Sequence, residues 1–273
     1  MRRLLPAAIL LTLIAFALCL AWRAYARKQL WAARTLEGFL IVFLGLILLS
    51  IWLPAAQAVR WLPPTRVQCV SNLLDLGHAL KRYHADHGSF PPAFVADETG
   101  RPIMSWRTLL LPYLRLDGWP DPEEVYWSDE PWDDPHNLSR SIYELDFCCP
   151  RTCCRNQCRV SYCAVVGPET AWPGDRAARI PDDFPDGAEK TILVVEVSGI
   201  DSPWVEPRDL RFDDMSFRLN DVPGKSLSAV HQYVNVLFAD GHVVSLPVDT
   251  PPETIRALLT AKGGEPIGKI EQR

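Results

Sequence analysis

The chain has no glycine-rich phosphate loop, no nucleophile elbow and no His-Glu-x-x-His motif. That removes the usual local signatures of nucleotide binding, acyl transfer and zinc-dependent hydrolysis. No internal repeat is present, which argues against a repeat architecture. No serine or lysine has an activating base beside it in sequence. Positive charge is also scarce. Residues 1–60 hold seven of the 28 Lys and Arg but one of the 33 acids, so residues 61–273 carry a formal charge of −11. A domain so acidic, without a basic patch, repels polyanions, and nucleic-acid binding is not expected.

Charge is missing altogether from two runs, Leu4 to Trp22 and Gly38 to Val59. At about 1.5 Å per residue, each is long enough to cross a roughly 30 Å hydrocarbon core as a helix. Trp22, Trp52 and Trp61 lie at or towards the ends, where amphipathic rings favour the headgroup layer. Arg2, Arg3 and the small-residue site Ala24-Tyr25-Ala26 also permit a signal peptide, but nineteen uncharged residues is long for its apolar region. The loop between the runs carries Arg23, Arg27, Lys28 and Arg34 against Glu37, which favours the loop inside and everything after Val59 outside. Arg2, Arg3, Arg60 and Arg66 weigh against that orientation.

Leu62-Pro63-Pro64 interrupts the second run, and a new helix is expected from about Thr65 to Ala85. Its apolar stripe is Val70, Leu73, Leu74, Leu76, Leu80 and Tyr83, with Gly77 leaving a gap. Ser105 to Leu114 predicts a second short helix, bent or ended by Pro112. Asp117 to Pro135 holds eight carboxylates with Trp119, Trp127 and Trp132, and predicts an ordered surface loop. Its acids show no recognisable calcium-loop spacing. Ser161 to Val166, Thr191 to Val197 and Val234 to Phe238 predict strands, the last joined to a partner through the Asp240-Gly241 turn. Pro252 to Ala261 predicts a closing helix.

Candidate site residues are few. His84 and His87, three apart at a helix end, could share a metal, though helix-end polar groups are the plainer account. His231, Asp240 and His242 suggest a metal or catalytic cluster at the hairpin, against local turn pairing, which is preferred. Eight cysteines divide into Cys19 in the first run, Cys69 in the helix, and Cys148, Cys149, Cys153, Cys154, Cys158 and Cys163 within seventeen residues. Their spacings are not the paired Cys-x2-Cys of zinc sites. Outside the cytoplasm, disulfides are favoured, with one of seven cysteines left over.

Several segments together carry a resemblance. LPAAQAVR, CVSNLLDLGHALKRYHADHGSFPPA, SWRTLLLPYL, EPWDDPHN, SYCAVVGPETAWPG, TILVVEVSGIDSPWVEPRDL and VNVLFADGHV occur in that order. In these the chain resembles the bacterial domain-of-unknown-function 1559 family, prepilin-like proteins abundant in planctomycetes, over roughly Gly38 to the C-terminus. The resemblance implies a type IV pilin-like or pseudopilin-like protein, with a hydrophobic N-terminal helix leading into a helix packed on an antiparallel sheet. It also implies a disulfide between Cys69 and Cys149, since Cys149-Pro150 falls at a usual Cys-Pro pair, leaving Cys153, Cys154 and Cys158 in a variable loop.

The chain departs from the family at three places. Gly38-Phe39 matches the prepilin-type processing site, but Phe43 stands where the fifth mature residue would be Glu. An additional hydrophobic run precedes that site. Eight residues, not nine, separate His231 from Asp240, and in a strand one residue reverses the face.

The resulting expectation is an α+β protein. Residues 1–60 form a membrane anchor with helices at 4–22 and 38–59, and residues 61–273 form a pilin-like extracytoplasmic domain. Its expected role is structural or in assembly within the envelope or a secretion system, at the cytoplasmic membrane, without catalysis or cofactors. Its expected partners are the membrane and other pilin-like or envelope proteins. The alternative is an extracytoplasmic module that binds a solute or metal.

Overall fold

The computed structural model describes residues 5–26, 37–47, 66–114, 126–140, 159–174, 176–229 and 233–265. The chain divides into two compact units, Met1–Pro63 and Pro64–Arg273.

In the first unit, α1 spans Leu5–Ala26, and residues 37–47 are also helical. Side chains are described over 12–23 and 37–47. Leu13, Phe16, Leu18, Leu20 and Trp22 of α1 are exposed, as are Phe39, Ile41, Val42, Phe43, Leu44 and Leu46. Among the described residues no helix is long and apolar enough to cross a membrane. Of the expected spans, 4–22 lies within α1 except for Leu4, whereas 38–59 is described only as far as residue 47.

The second unit is α+β. Helix α2, Arg66–His87, opens it and is ended by Gly88 at φ 72°, whose N–H donates to the His84 carbonyl (2.8 Å). Cys69, Leu73, Leu76, Ala79 and Leu80 are fully buried, the 3–4 spacing of one helix face. The gap in that stripe has a cause. A Cβ on Gly77 would stand 2.9 Å from Cδ1 of Leu237, so the sheet fills the notch that the glycine leaves.

A hairpin follows, β1 (Phe94–Ala96) with β2 (Pro102–Ser105), antiparallel. Ser105 then caps α3, Trp106–Leu109, by accepting from the Arg107 N–H. A 3₁₀ turn continues over Leu111–Tyr113 with Pro112 in its first turn. The helix expected over Ser105–Leu114 is therefore two separate turns. A six-residue α4, Pro135–Arg140, begins where the acidic loop ends.

The main sheet has four strands in the order β3-β5-β7-β8, all antiparallel: Tyr162–Cys163, Ile192–Glu196, Tyr233–Phe238 and Val243–Pro247. The β7–β8 hairpin turns at Asp240-Gly241, with Gly241 at φ 91°. One expected strand, Ser161 to Val166, is split. After β3 the chain changes sheets at Ala164, and β4 (Val165–Val166) pairs in parallel with β6 (Leu210–Arg211). The switch is pinned on both sides of one residue: Ala164 N–H donates to Asp209 (2.8 Å), and Leu210 N–H donates to the Ala164 carbonyl (3.1 Å). A last helix, α5, covers Pro252–Leu259 and buries Ile255, Ala257, Leu258 and Leu259.

Candidate functional site

The expected histidine sites are occupied by local partners. His84 Nε2 accepts from the Ile180 N–H (3.3 Å), and its ring lies 5.0 Å from that of Phe90. His87 stacks on Tyr83 at 4.2 Å and meets the Tyr113 hydroxyl at 3.1 Å. The two imidazoles are thus engaged in different directions. Asp240 and His242 do meet: the carboxylate accepts the His242 N–H (3.0 Å) and faces its ring Nδ1 (2.5 Å), while the ring stacks on Phe238 at 4.3 Å. That is a closed turn motif at the surface. His231 lies outside the described residues. Among the described residues no three His, Cys, Asp or Glu form a group able to hold a metal.

Cys148, Cys149, Cys153, Cys154 and Cys158 also lie outside the described residues, and with Cys149 the expected bridge to Cys69. No disulfide occurs among the described residues. Cys69 is fully buried, and Cys163, another disulfide candidate, is here a buried free thiol. Gly38 and Phe39 sit within the helical stretch 37–47, with Phe39 exposed.

The acidic loop is ordered from within, over its described part. Asn137, fully buried, accepts the Trp127 N–H (2.9 Å) and turns its amide NH₂ towards the carbonyls of Trp127, Glu130 and Pro131 at 3.0–3.2 Å. Asp133 pairs with Arg101, and Asp134 accepts the His136 N–H (2.7 Å). These two carboxylates are spent on the fold.

The dominant buried charge was not among the expected site residues. Arg107, on α3, has no exposed side-chain surface, and its partner Asp209 has 4%. Arg107 Nη2 donates to Asp209 at 2.6 Å, to the Tyr162 carbonyl at 3.1 Å and to the Arg208 carbonyl at 3.4 Å. Its Nη1 donates to the Ser105 hydroxyl at 3.0 Å, and its Nε to the Tyr162 carbonyl at 3.3 Å. Asp209 also accepts from Trp106 Nε1 (3.3 Å) and from the Ala164 N–H. Every donor of a buried guanidinium finds an acceptor, the condition under which such a charge is tolerated. Cys163 Sγ stands 3.6 Å from Nη2. Burial pushes this thiol up to about 12, against the opposing pull of the Arg107 charge.

A second buried polar row crosses the sheet next to this clamp. Tyr162 pairs in register with Glu196, and Asn235 with Ser245. Glu196 accepts both the backbone N–H (3.1 Å) and side-chain amide (2.8 Å) of Asn235, whose oxygen takes the Ser245 hydroxyl at 2.6 Å. Tyr162 therefore ties the clamp, through its carbonyl, to the row, through its register.

Together these fix the seam where β4 meets β6, and beside that seam lies a cleft of about 430 Å³. Its walls come from β1, β4 and the loops after it, and the β6 turn. Arg211 and Asp213 stand on that turn, both exposed. No local sequence signal singles them out. For Arg107, the signal is a lone charge beside an apolar LLL run, but its partner lies 102 residues away.

Residues 66–153 match the family described as Protein of unknown function (DUF1559). This segment belongs to the DUF1559 family. It holds α2, the β1–β2 hairpin, α3 and α4, so it supplies Arg107 but not Asp209. The clamp thus fastens the DUF1559 segment to the sheet that follows it. No curated protein and no solved structure matches the chain.

Proposed function

We propose that this chain is a membrane-anchored, extracytoplasmic protein of pilin- or pseudopilin-like design. Its role is structural or in assembly within the cell envelope or a secretion system, and it is not an enzyme. The observation that carries this reading is a sequence of parts. An uncharged run, Gly38 to Val59, leads into α2, whose apolar face packs on an antiparallel sheet. The exposed Phe39, Ile41, Val42 and Phe43 support it, because such contiguous apolar surface requires lipid or another protein to cover it. Phe43 at the position of the expected Glu favours a permanently anchored protein over a filament subunit.

The test is a reporter fused to the C-terminus that is active only outside the cytoplasm, combined with carbonate extraction of membranes. The expected outcome is an active reporter in the carbonate-resistant fraction. An inactive reporter, or release of the intact chain by carbonate, would overturn the proposal, and a mature form beginning at N-methylated Phe39 would overturn permanent anchoring.

A further inference from the structure

The cleft beside the β4–β6 seam is prepared for a small ligand in three respects. Its volume of about 430 Å³ falls in the range of small-molecule sites, roughly 300–1,000 Å³. Its lining is apolar at Phe94, Val166, Pro168 and Pro173. It also bears Arg211 and Asp213, opposite charges two residues apart, with Arg211 beside Val166 in the β4–β6 ladder. Neither takes part in an ion pair or side-chain hydrogen bond among the described residues, although the fold satisfies Arg101, Arg107, Arg159 and Arg176 with carboxylates.

The backbone beneath these charges is held in place. Arg211 pairs with Val166 in the parallel β4–β6 ladder, and Asp209, two residues earlier, is held by the buried Arg107. Gly167 closes the seam behind it, since a Cβ there would stand 2.8 Å from Cβ of Phe212. Gly174, at the cleft lining with φ 104°, leaves space, with nothing within 4 Å of a Cβ position. A backbone held this way loses little freedom on binding, which favours affinity.

We propose that this cleft binds a zwitterionic α-amino acid with an apolar side chain. The Arg211 guanidinium takes the carboxylate, the geometry in which arginine forms paired charge-assisted hydrogen bonds. Asp213 takes the ammonium, and the side chain lies on the proline and phenylalanine wall. An anion alone would leave Asp213 unanswered in a domain of formal charge −11, and a cation alone would face Arg211. This activity goes beyond the structural role above and does not depend on it.

The experiment is isothermal titration of the full-length chain in detergent micelles with L-leucine. Two analogues each lack one charge: 4-methylpentanoate and 3-methylbutylamine. Arg211→Ala and Asp213→Asn are titrated in parallel, with circular dichroism confirming the fold, and Arg211→Lys replaces the alanine variant if that one does not fold. Leucine is expected to bind saturably, each analogue and each variant weakening binding at least about tenfold, the loss of one charge-assisted interaction. Absence of leucine binding to the wild-type chain overturns the proposal. Binding that survives both substitutions overturns its location, and equal binding of 4-methylpentanoate overturns the zwitterion. Reporter topology is read separately, so failure here and failure of the anchored reading are distinguishable.

Discussion

Arg107→Met would leave the Asp209 carboxylate buried with its counter-charge gone. Asp209 would keep two neutral donors, Trp106 Nε1 and the Ala164 N–H, and only 4% of its side-chain surface in water. Breaking one side of a buried pair costs about 3–5 kcal/mol. The carbonyls of Tyr162 and Arg208 lose donors as well, while methionine restores most of the volume. A loss of about 4 kcal/mol is expected, lowering the melting temperature by roughly 10 °C for a domain of this size. The double substitution Arg107→Met/Asp209→Leu removes both charges and is expected to be less destabilised than Arg107→Met alone. Urea denaturation of the full chain in micelles, followed by tryptophan fluorescence, measures Arg107→Met, Asp209→Leu and the double variant. A single-variant loss below about 1 kcal/mol, or a double variant as unstable as the summed singles, would refute the clamp.

Three further outcomes follow from buried groups. Asn137→Ala removes the tie between Trp127, Glu130 and Pro131, at a local loss of about 2 kcal/mol. Amide hydrogen exchange over 126–137 is expected to quicken, and unchanged exchange would contradict the tie. The Cys163 thiol, held near 12 against an ordinary 9.0, is expected to alkylate at pH 8 about a thousandfold more slowly than an exposed cysteine. Peptide mapping after labelling, native against unfolded, checks this; native labelling at the exposed rate would refute it. Because the folded value is raised, as for Tyr126, also near 12 through burial, their stabilising contribution is complete below the unfolded values. It is lost as pH climbs from about 9 towards 12.

What the sequence made legible was whatever short-range pattern determines. The apolar stripe of α2 and the Asp-Gly turn of the hairpin each reveal themselves within a few residues, and α2 and β7–β8 lie where the patterns put them. Ser161 to Val166 reads as one strand because alternation cannot show that Ala164 bonds to Asp209 and Leu210, 45 and 46 positions away. The β1–β2 hairpin, only three and four residues long, carries too little period to be seen. Glu196, at the end of an otherwise apolar strand, is answered by Asn235, and that pairing is set by register. The clamp and cleft share this origin: their residues meet only after the sheet has formed.

Gly77 and Gly241 have a mechanical consequence. Leu237 fills the notch at Gly77, and the Lys81 side chain occupies the space where Gly241 would carry a Cβ. One turn apart on the same helix, these two contacts act as a peg and a stop. Axial sliding of α2 would drive Leu237 out of its notch, and rolling would drive Lys81 into the turn. A pull along α2 is therefore passed to the β7–β8 hairpin at two points, Leu237 and Gly241, and not through one contact alone.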